Sequence, residues 1–307
     1  MSACIIIVGY RSERWLRANF ETVLSDMPVG WRAIYVDNAS PDSGRMVVQD
    51  YEGVQVIQMA RNVGFGRACN VGARAAIAAG SDVLIFLNPD VVARPEVLQE
   101  LTRTLQEDSA VGIVGPLQYS YGGSVPEFND WSRRIVIGPA IYPPDEFEVA
   151  PLDLPRFERW RTAHREELVD VSYVNGGAFA VAGETYERVG GFEPLYFLYF
   201  DEVELCRRVR ALGLRTVVRP DLAVAHAWGG LSEWRLIYHW YRSRTLYLLL
   251  EPSLSLQGAV LEVFRRLPRD LRRPLWGSRA AVVLGVAAGS VHWSAVPRAR
   301  NRARARA

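Results

Sequence analysis

The first 120 residues alternate between short apolar, β-branched runs and stretches with helical spacing. Ala3 to Val8 reads as a strand, and Trp15 to Leu24 repeats its apolar residues at helical intervals. A strand at Ala33 to Val36, a short helix near Arg45 to Tyr51, a strand at Val54 to Gln58 and an alanine-rich helix at Gly66 to Ala79 follow. Asp82 to Leu87 predicts a fourth strand. Pro95 then opens a helix reaching about Glu107, where proline's missing N–H costs nothing, and Val111 to Val114 gives a fifth strand. Strands alternating with helices predict an α/β fold, a Rossmann-like, mainly parallel sheet with helices on both faces. Ligands of such sheets bind beyond the C-terminal strand ends.

From Tyr119 to Asp170 prolines, aromatics and charges mix without a period, as in a long insertion. Regularity returns at Val171 to Val181, read as one strand containing Asn175-Gly176-Gly177. A helix at Glu184 to Val189, the turn Gly190-Gly191-Phe192 and an amphipathic helix at Asp201 to Leu212 come next. Arg215 to Arg219 and Ala223 to His226 are strand-like, and Trp234 to Leu250 is a long aromatic helix. Beyond Pro252 the chain predicts amphipathic, arginine-rich helices, and the closing Arg–Ala alternation is expected to be disordered.

Polar clusters sit at the predicted strand ends. Asp90, in Asn88-Pro89-Asp90, offers a hard oxygen to a divalent ion carrying a diphosphate, although the tripeptide reads equally as a turn and helix cap. Asp37, followed by Asn38, can accept a hydrogen bond from a base imide or a ribose hydroxyl, or close an Asx turn. In Arg61-Asn62-Val63-Gly64-Phe65-Gly66, glycine admits close backbone approach and arginine offsets phosphate charge, with Asn70 one turn into the next helix. GxGxxG and GK[ST] are both absent, which counts against dehydrogenases and P-loop enzymes. Asp201 and Glu202 open a helix, where acids complement its dipole. They also emerge from an aromatic wall that can poise one of them as a general base. His226 closes a strand beside Trp228 and is either structural or a metal ligand.

Composition adds little until its distribution is considered. The net charge is +2, all 36 basic residues are arginine, and Cys4, Cys69 and Cys206 have no metal-ligand spacing. The start lacks a basic region before its apolar run, so a cytoplasmic setting is expected. From Arg265 onward there are eleven arginines, with Glu262 just before them and Asp270 within. With Leu, Val, Phe and Trp interleaved, this region predicts a peripheral helix on an anionic membrane surface, here the inner face of the cell membrane. Nucleic acid gains no support from the rest of the chain. A homodimer stays open.

In order, Val36-Asp37-Asn38-Ala39-Ser40, Asn62-Val63-Gly64-Phe65-Gly66 with Asn70, and Phe86-Leu87-Asn88-Pro89-Asp90 resemble successive blocks of family 2 glycosyltransferases. Asn175-Gly176-Gly177-Ala178-Phe179, Gly190-Gly191-Phe192 and Tyr199-Phe200-Asp201-Glu202-Val203-Glu204 continue the series. The resemblance is nearest the rhamnosyltransferase-like branch and spans about residues 3 to 250. It implies a GT-A fold, with residues 1–118 as the nucleotide-sugar half, 119–250 as the acceptor and catalytic half, and 251–307 as a basic C-terminal region. It also implies inversion, Mg²⁺ or Mn²⁺, a dTDP-rhamnose or UDP-sugar donor, and a glycan or polyprenyl-linked acceptor for cell-surface polysaccharide. By the same resemblance Asp90 and His226 hold metal, and Glu202 or Asp201 is the base, the family's usual Glu-Asp order being inverted here. Asp37, Asn38, Arg61, Asn62, Gly64, Asn70, Asn88, Asn175, Gly176, Gly177 and Trp228 are the expected contacts to the nucleotide-sugar.

Overall fold

The computed structural model describes residues 2–120, 135–136, 161–227, 233–271 and 276–306. The first part runs β1 (Ala3–Gly9), α1 (Glu13–Val23), β2 (Arg32–Asp37), α2 (Gly44–Gln49), β3 (Val54–Gln58), α3 (Phe65–Ala78), β4 (Val83–Leu87), β5 (Val91–Val92), α4 (Pro95–Glu107) and β6 (Val111–Ser120). The second part adds β7 (Ile135–Val136), β8 (Val169–Asp170), β9 (Ala178–Ala182), α5 (Gly183–Val189), α6 (Asp201–Ala211) and β10 (Arg215–His226). Helices α7 (Glu233–Leu249), α8 (Leu256–Asp270) and α9 (Trp276–Ser290), a 3₁₀ turn (Val291–Ser294) and α10 (Val296–Arg306) complete it.

The sheet order is β3-β2-β1-β4-β9-β6-β10-β5, with β7 on β6 and β8 on β10. Strands β3, β2, β1 and β4 are parallel, β9 lies antiparallel between β4 and β6, and β6 is parallel to β10. All the longer strands except β9 therefore point one way, and their C-terminal ends share an edge. Alternation along β1 explains the two layers. Cys4, Ile6 and Val8 face Ala68, Ala73 and Ala76 of α3, while Ile5 and Ile7 face Leu16 and Phe20 of α1 and Leu98 and Leu101 of α4. Each large apolar side chain so buried contributes about 1.5–3 kcal/mol before chain entropy is counted.

Three expectations need correction. The strand expected at Val171 to Val181 is confined to Ala178–Ala182, because Asn175 to Gly177 turn the chain: Gly177 N–H donates to Asn175 Oδ1 at 3.0 Å. The fifth strand continues past Val114 to Ser120. It tolerates Pro116 because that residue pairs with Arg219 beside a register shift, where a missing N–H costs least. The expected disordered end is the helix Val296–Arg306, since alanine and arginine are both good helix formers. Val296 and Ala299 are buried in the main core, and Arg300 donates to the carbonyls of Glu251 and Leu254.

Helix α9 lies close on α7 through two glycines one turn apart. A methyl on Gly285 would stand 2.6 Å from the Tyr238 carbonyl, and one on Gly289 would stand 2.7 Å from that of Arg242. Among the described residues no helix is long and apolar enough to cross a membrane.

Candidate active site

The site lies at the shared C-terminal edge. Strand β2 ends in buried Asp37, whose Oδ1 accepts the Ser40 N–H at 2.8 Å and so closes the loop three residues on. Ser40 Oγ accepts the Arg11 N–H at 2.7 Å, tying the loop after β1 to the loop after β2. Arg11 and Ala39 both hold φ 55°, a left-handed conformation that non-glycine residues adopt only where surroundings impose it.

Asn38 and Asn62 build the next loop. Asn38 Nδ2 donates to Asn62 Oδ1 at 3.1 Å and to the Gly64 carbonyl at 3.3 Å, and its Oδ1 accepts the Val63 N–H at 3.0 Å. Asn62 Oδ1 also accepts the Gly64 N–H at 3.0 Å. Gly64 has φ 90°, and a β-carbon there would fall 2.5 Å from the Phe197 carbonyl oxygen. That oxygen accepts the Phe65 N–H at 2.9 Å. The loop thus docks on the segment leading to Asp201. Asn70 is likewise engaged within the protein. Its Oδ1 accepts Tyr186 Oη–H at 2.6 Å and Phe192 N–H at 2.8 Å, and its Nδ2 donates to the Phe192 carbonyl at 2.9 Å. Asn38, Asn62 and Asn70 thus hold the loops through their side-chain amides. Arg61 is exposed at the start of this loop.

Asp90 and His226 meet through backbone pairing. Val91 and Val92 of β5 pair with His226 and Ala225 of β10, and the Ala227 N–H donates to the Asp90 carbonyl at 2.9 Å. This brings Asp90 Oδ1 within 3.3 Å of His226 Nε2. The other ring nitrogen faces Gln118 Oε1 at 3.2 Å, and Gln118 Nε2 donates to the carbonyls of Asn175 at 3.0 Å and Ala178 at 3.2 Å. Those carbonyls fix the Gln118 amide, so Nδ1 is the nitrogen that donates. A neutral ring then turns its Nε2 lone pair toward a carboxylate oxygen. Two such lone pairs repel unless a proton or a metal cation lies between them. One carboxylate and one imidazole, the imidazole oriented by Gln118, suit a divalent ion whose other positions would be filled by phosphate and water. Among the described residues no group of three or more His, Cys, Asp or Glu gathers.

The turn at Asn88 is held from both sides. Its N–H donates to the Gly177 carbonyl at 2.8 Å, and its own carbonyl accepts Asn19 Nδ2 at 3.2 Å. Asn19, buried on α1, also donates to the Val91 carbonyl at 2.6 Å.

Asn175 to Gly177 form a strip between two chemistries. A β-carbon on Gly177 would stand 2.7 Å from His226 Nδ1, and one on Gly176 would stand 3.2 Å from Glu202 Cδ. Glu202 is half-buried, and burial pushes its carboxyl up to about 7. Tyr199 and Phe200, both left-handed at φ 65° and 64°, aim the start of α6. Asp201 points elsewhere. It is buried, its Oδ1 has no hydrogen-bond partner, and that atom would lie 2.7 Å from a β-carbon on Gly66. Burial first, and then the charge of Glu202, raise its carboxyl well above the usual range. Glu204 instead grips Arg208, whose Nη2 also donates to the Gly191 carbonyl at 2.7 Å. Trp228 lies outside the described residues.

Sequence reasoning missed Gln118 and Asn19. Gln118 falls beyond Val114, where the strand was expected to end, and Asn19 is a polar residue inside an amphipathic helix. The only signal for the latter is its place on the apolar face between Leu16 and Phe20 and Val23.

Residues 4–166 match the family model described as glycosyl transferase family 2. The chain is 27% identical over 239 residues to N-acetylglucosaminyl-diphospho-decaprenol L-rhamnosyltransferase of Mycobacterium tuberculosis, covering 71% of this chain and 72% of that one. It is 24% identical to the dTDP-rhamnosyl transferase RfbF of Shigella flexneri, covering 72% and 71%. Among solved structures, a mannosyltransferase of Pyrobaculum calidifontis in complex with GDP-Man and Mn²⁺ superposes with a TM-score of 0.56 at 15% identity. It covers 99% of this chain and 73% of that one. Staphylococcus aureus TarS 1-349 in complex with UDP gives 0.54 at 15% identity, covering 100% and 89%. These likenesses show a shared GT-A glycosyltransferase fold.

Proposed function

The chain belongs to glycosyl transferase family 2, and on that premise we propose that it moves a sugar from a nucleotide donor to a hydroxyl, inverting the anomeric centre. L-Rhamnose from dTDP-rhamnose is the favoured donor and a glycan or polyprenyl-linked sugar the favoured acceptor, for cell-surface polysaccharide. The names of the Mycobacterium and Shigella relatives support that choice.

The observation that carries the reading is the strip Gly176-Gly177, with the Glu202 carboxylate against one glycine and His226, paired to Asp90, against the next. Glu202 is the general base. Its carboxyl, near 7, is poised to take the acceptor hydroxyl's proton at neutral pH as that oxygen attacks the anomeric carbon. Asp201 turns its Oδ1 toward Gly66 instead. Asp90 and His226 hold Mg²⁺ or Mn²⁺, which when bound offsets charge on the leaving nucleoside diphosphate. Asp37 orients the nucleoside, Arg61 adds positive charge toward the phosphates, and the absence of β-carbons at Gly176 and Gly177 lets the sugar approach the backbone.

The C-terminal helices support a peripheral position on an anionic membrane. Leu261 and Phe264 of α8 are 69% and 63% exposed, beside the arginines that follow. Titrating dTDP-rhamnose and UDP-sugars with Mn²⁺ and following thermal unfolding tests the donor. The true donor raises the midpoint and the others leave it in place.

A further inference from the structure

Away from the strip, α3, α7 and the 3₁₀ turn bring two arginines and two histidines to one segment. Arg67 Nε donates to the Pro194 carbonyl at 2.7 Å, and Arg242 Nη2 donates to the Leu195 carbonyl at 3.1 Å. The same Arg242 nitrogen lies 2.8 Å from His292 Nε2. Gly285 and Gly289 make this meeting possible, because they let α9 settle on the α7 backbone and deliver the 3₁₀ turn to Arg242. His239 stacks on Phe197 with ring centroids 5.2 Å apart. Two polar atoms of the group are buried without a hydrogen-bond partner, Arg242 Nη1 and His239 Nδ1.

The group lacks a counter-charge. Among the described residues neither Arg67 nor Arg242 has an ion pair, and the carboxyl felt by Arg242 is that of Asp201, which burial drives toward its neutral form. Burial, and after it the positive charge of Arg242, depress both His239 and His292. Two arginine cations at a partly buried place, one with an unmet buried donor at Arg242 Nη1, are stabilised by an anion with several oxygens.

We propose that Arg67, Arg242, His239 and His292 form an anion site for the diphosphate of a prenyl-linked acceptor. This rests on the glycosyltransferase reading. Chain connection argues for the acceptor over the donor: the cluster grips residues 194–195, and the same segment continues through Phe197 and the left-handed pair Tyr199-Phe200 to Glu202. The donor phosphates belong with Asp90 and His226. An apolar neighbour is also present, since Val291, adjoining His292, is 79% exposed and suits a prenyl chain.

The test is calorimetric titration of the full chain in EDTA with farnesyl diphosphate. Inorganic pyrophosphate and phosphatidylglycerol vesicles serve as the other arms, and nucleoside diphosphate with Mn²⁺ is titrated separately. Wild type is expected to bind farnesyl diphosphate without metal, more tightly than pyrophosphate. Arg67→Gln and His292→Gln, both at solvent-accessible positions, are each expected to weaken it at least tenfold while nucleotide binding holds. Equal affinity in both variants, or no metal-free binding by wild type, overturns the proposal. So does variant-sensitive binding to vesicles in preference to farnesyl diphosphate, which would make this a headgroup site. Failure of the nucleotide arm alone points to the donor reading and leaves this site standing.

Discussion

Gly176 lies against Glu202, such that a methyl group on the glycine would stand 3.2 Å from the Glu202 carboxyl carbon. The contact ties the base to the strip that faces the Asp90–His226 pair. Glu202→Gln, which keeps the shape and removes the basic oxygen, is expected to lower kcat by roughly 10²–10⁴ with donor affinity unchanged. Gly176→Ala should displace the carboxyl by a few tenths of an ångström and lower kcat about tenfold. Steady-state assays of released nucleoside diphosphate read both. Asp201→Asn matching Glu202→Gln in lost kcat at full folding would reassign the base.

The elevated carboxyl of Glu202 also fixes two pH dependences. Proton abstraction needs the ionised form, so kcat is expected to rise with pH through about 7. Stability moves oppositely. The folded state holds this proton more tightly than the unfolded chain, so the contribution is fully present below about 4.5 and is lost as pH rises through about 7. Glu202→Gln removes the penalty and should stabilise the protein at pH 8 by up to about 3 kcal/mol, with no gain at pH 4. Denaturant unfolding at the two pH values measures the difference.

Gln118 acts on His226 through the tautomer. With its Nε2 committed to the carbonyls of Asn175 and Ala178, its Oε1 holds the Nδ1 proton in place. Gln118→Leu should weaken Mn²⁺ binding by about 10–100-fold, measured by electron paramagnetic resonance in the presence of nucleoside diphosphate. Unchanged affinity would mean that His226 takes no part in holding the ion.

Asn70 is a framework residue, with three hydrogen bonds to Tyr186 and Phe192. Asn70→Ala is expected to cost about 2–3 kcal/mol of stability, because two buried partners lose their acceptor, while KM for the donor stays the same in the folded fraction. A large rise in KM without loss of stability would restore it as a ligand contact.

The layered sheet was legible because the period of the strands and helices is written in single residues: Cys4, Ile6 and Val8 face one way, Ile5 and Ile7 the other. The carboxylates at strand ends could be picked out for the same reason. What one polar residue does at such an end is a different matter. Asn38, Asn62 and Asn70 look in sequence like any asparagine near a loop reaching for a ligand, and only the fold shows the hydrogen bonds they make within the protein. Gln118 lay outside the strand expected at Val111 to Val114, which continues through Pro116 because β10 shifts register at that point. The arginine and histidine group at Arg242 was beyond reach of the sequence because it depends on two glycines in α9 letting distant helices touch.

The most direct test of the account is nucleoside diphosphate release from dTDP-rhamnose and UDP-sugars, with Mn²⁺ and a prenyl diphosphate-linked sugar acceptor, for wild type, Asp90→Asn and Glu202→Gln. The account predicts acceptor-dependent release by wild type from dTDP-rhamnose, its near-abolition in both variants, and inverted configuration in the product. Release at the wild-type rate by Glu202→Gln, or no acceptor-dependent release from any donor by a folded wild type, would contradict it.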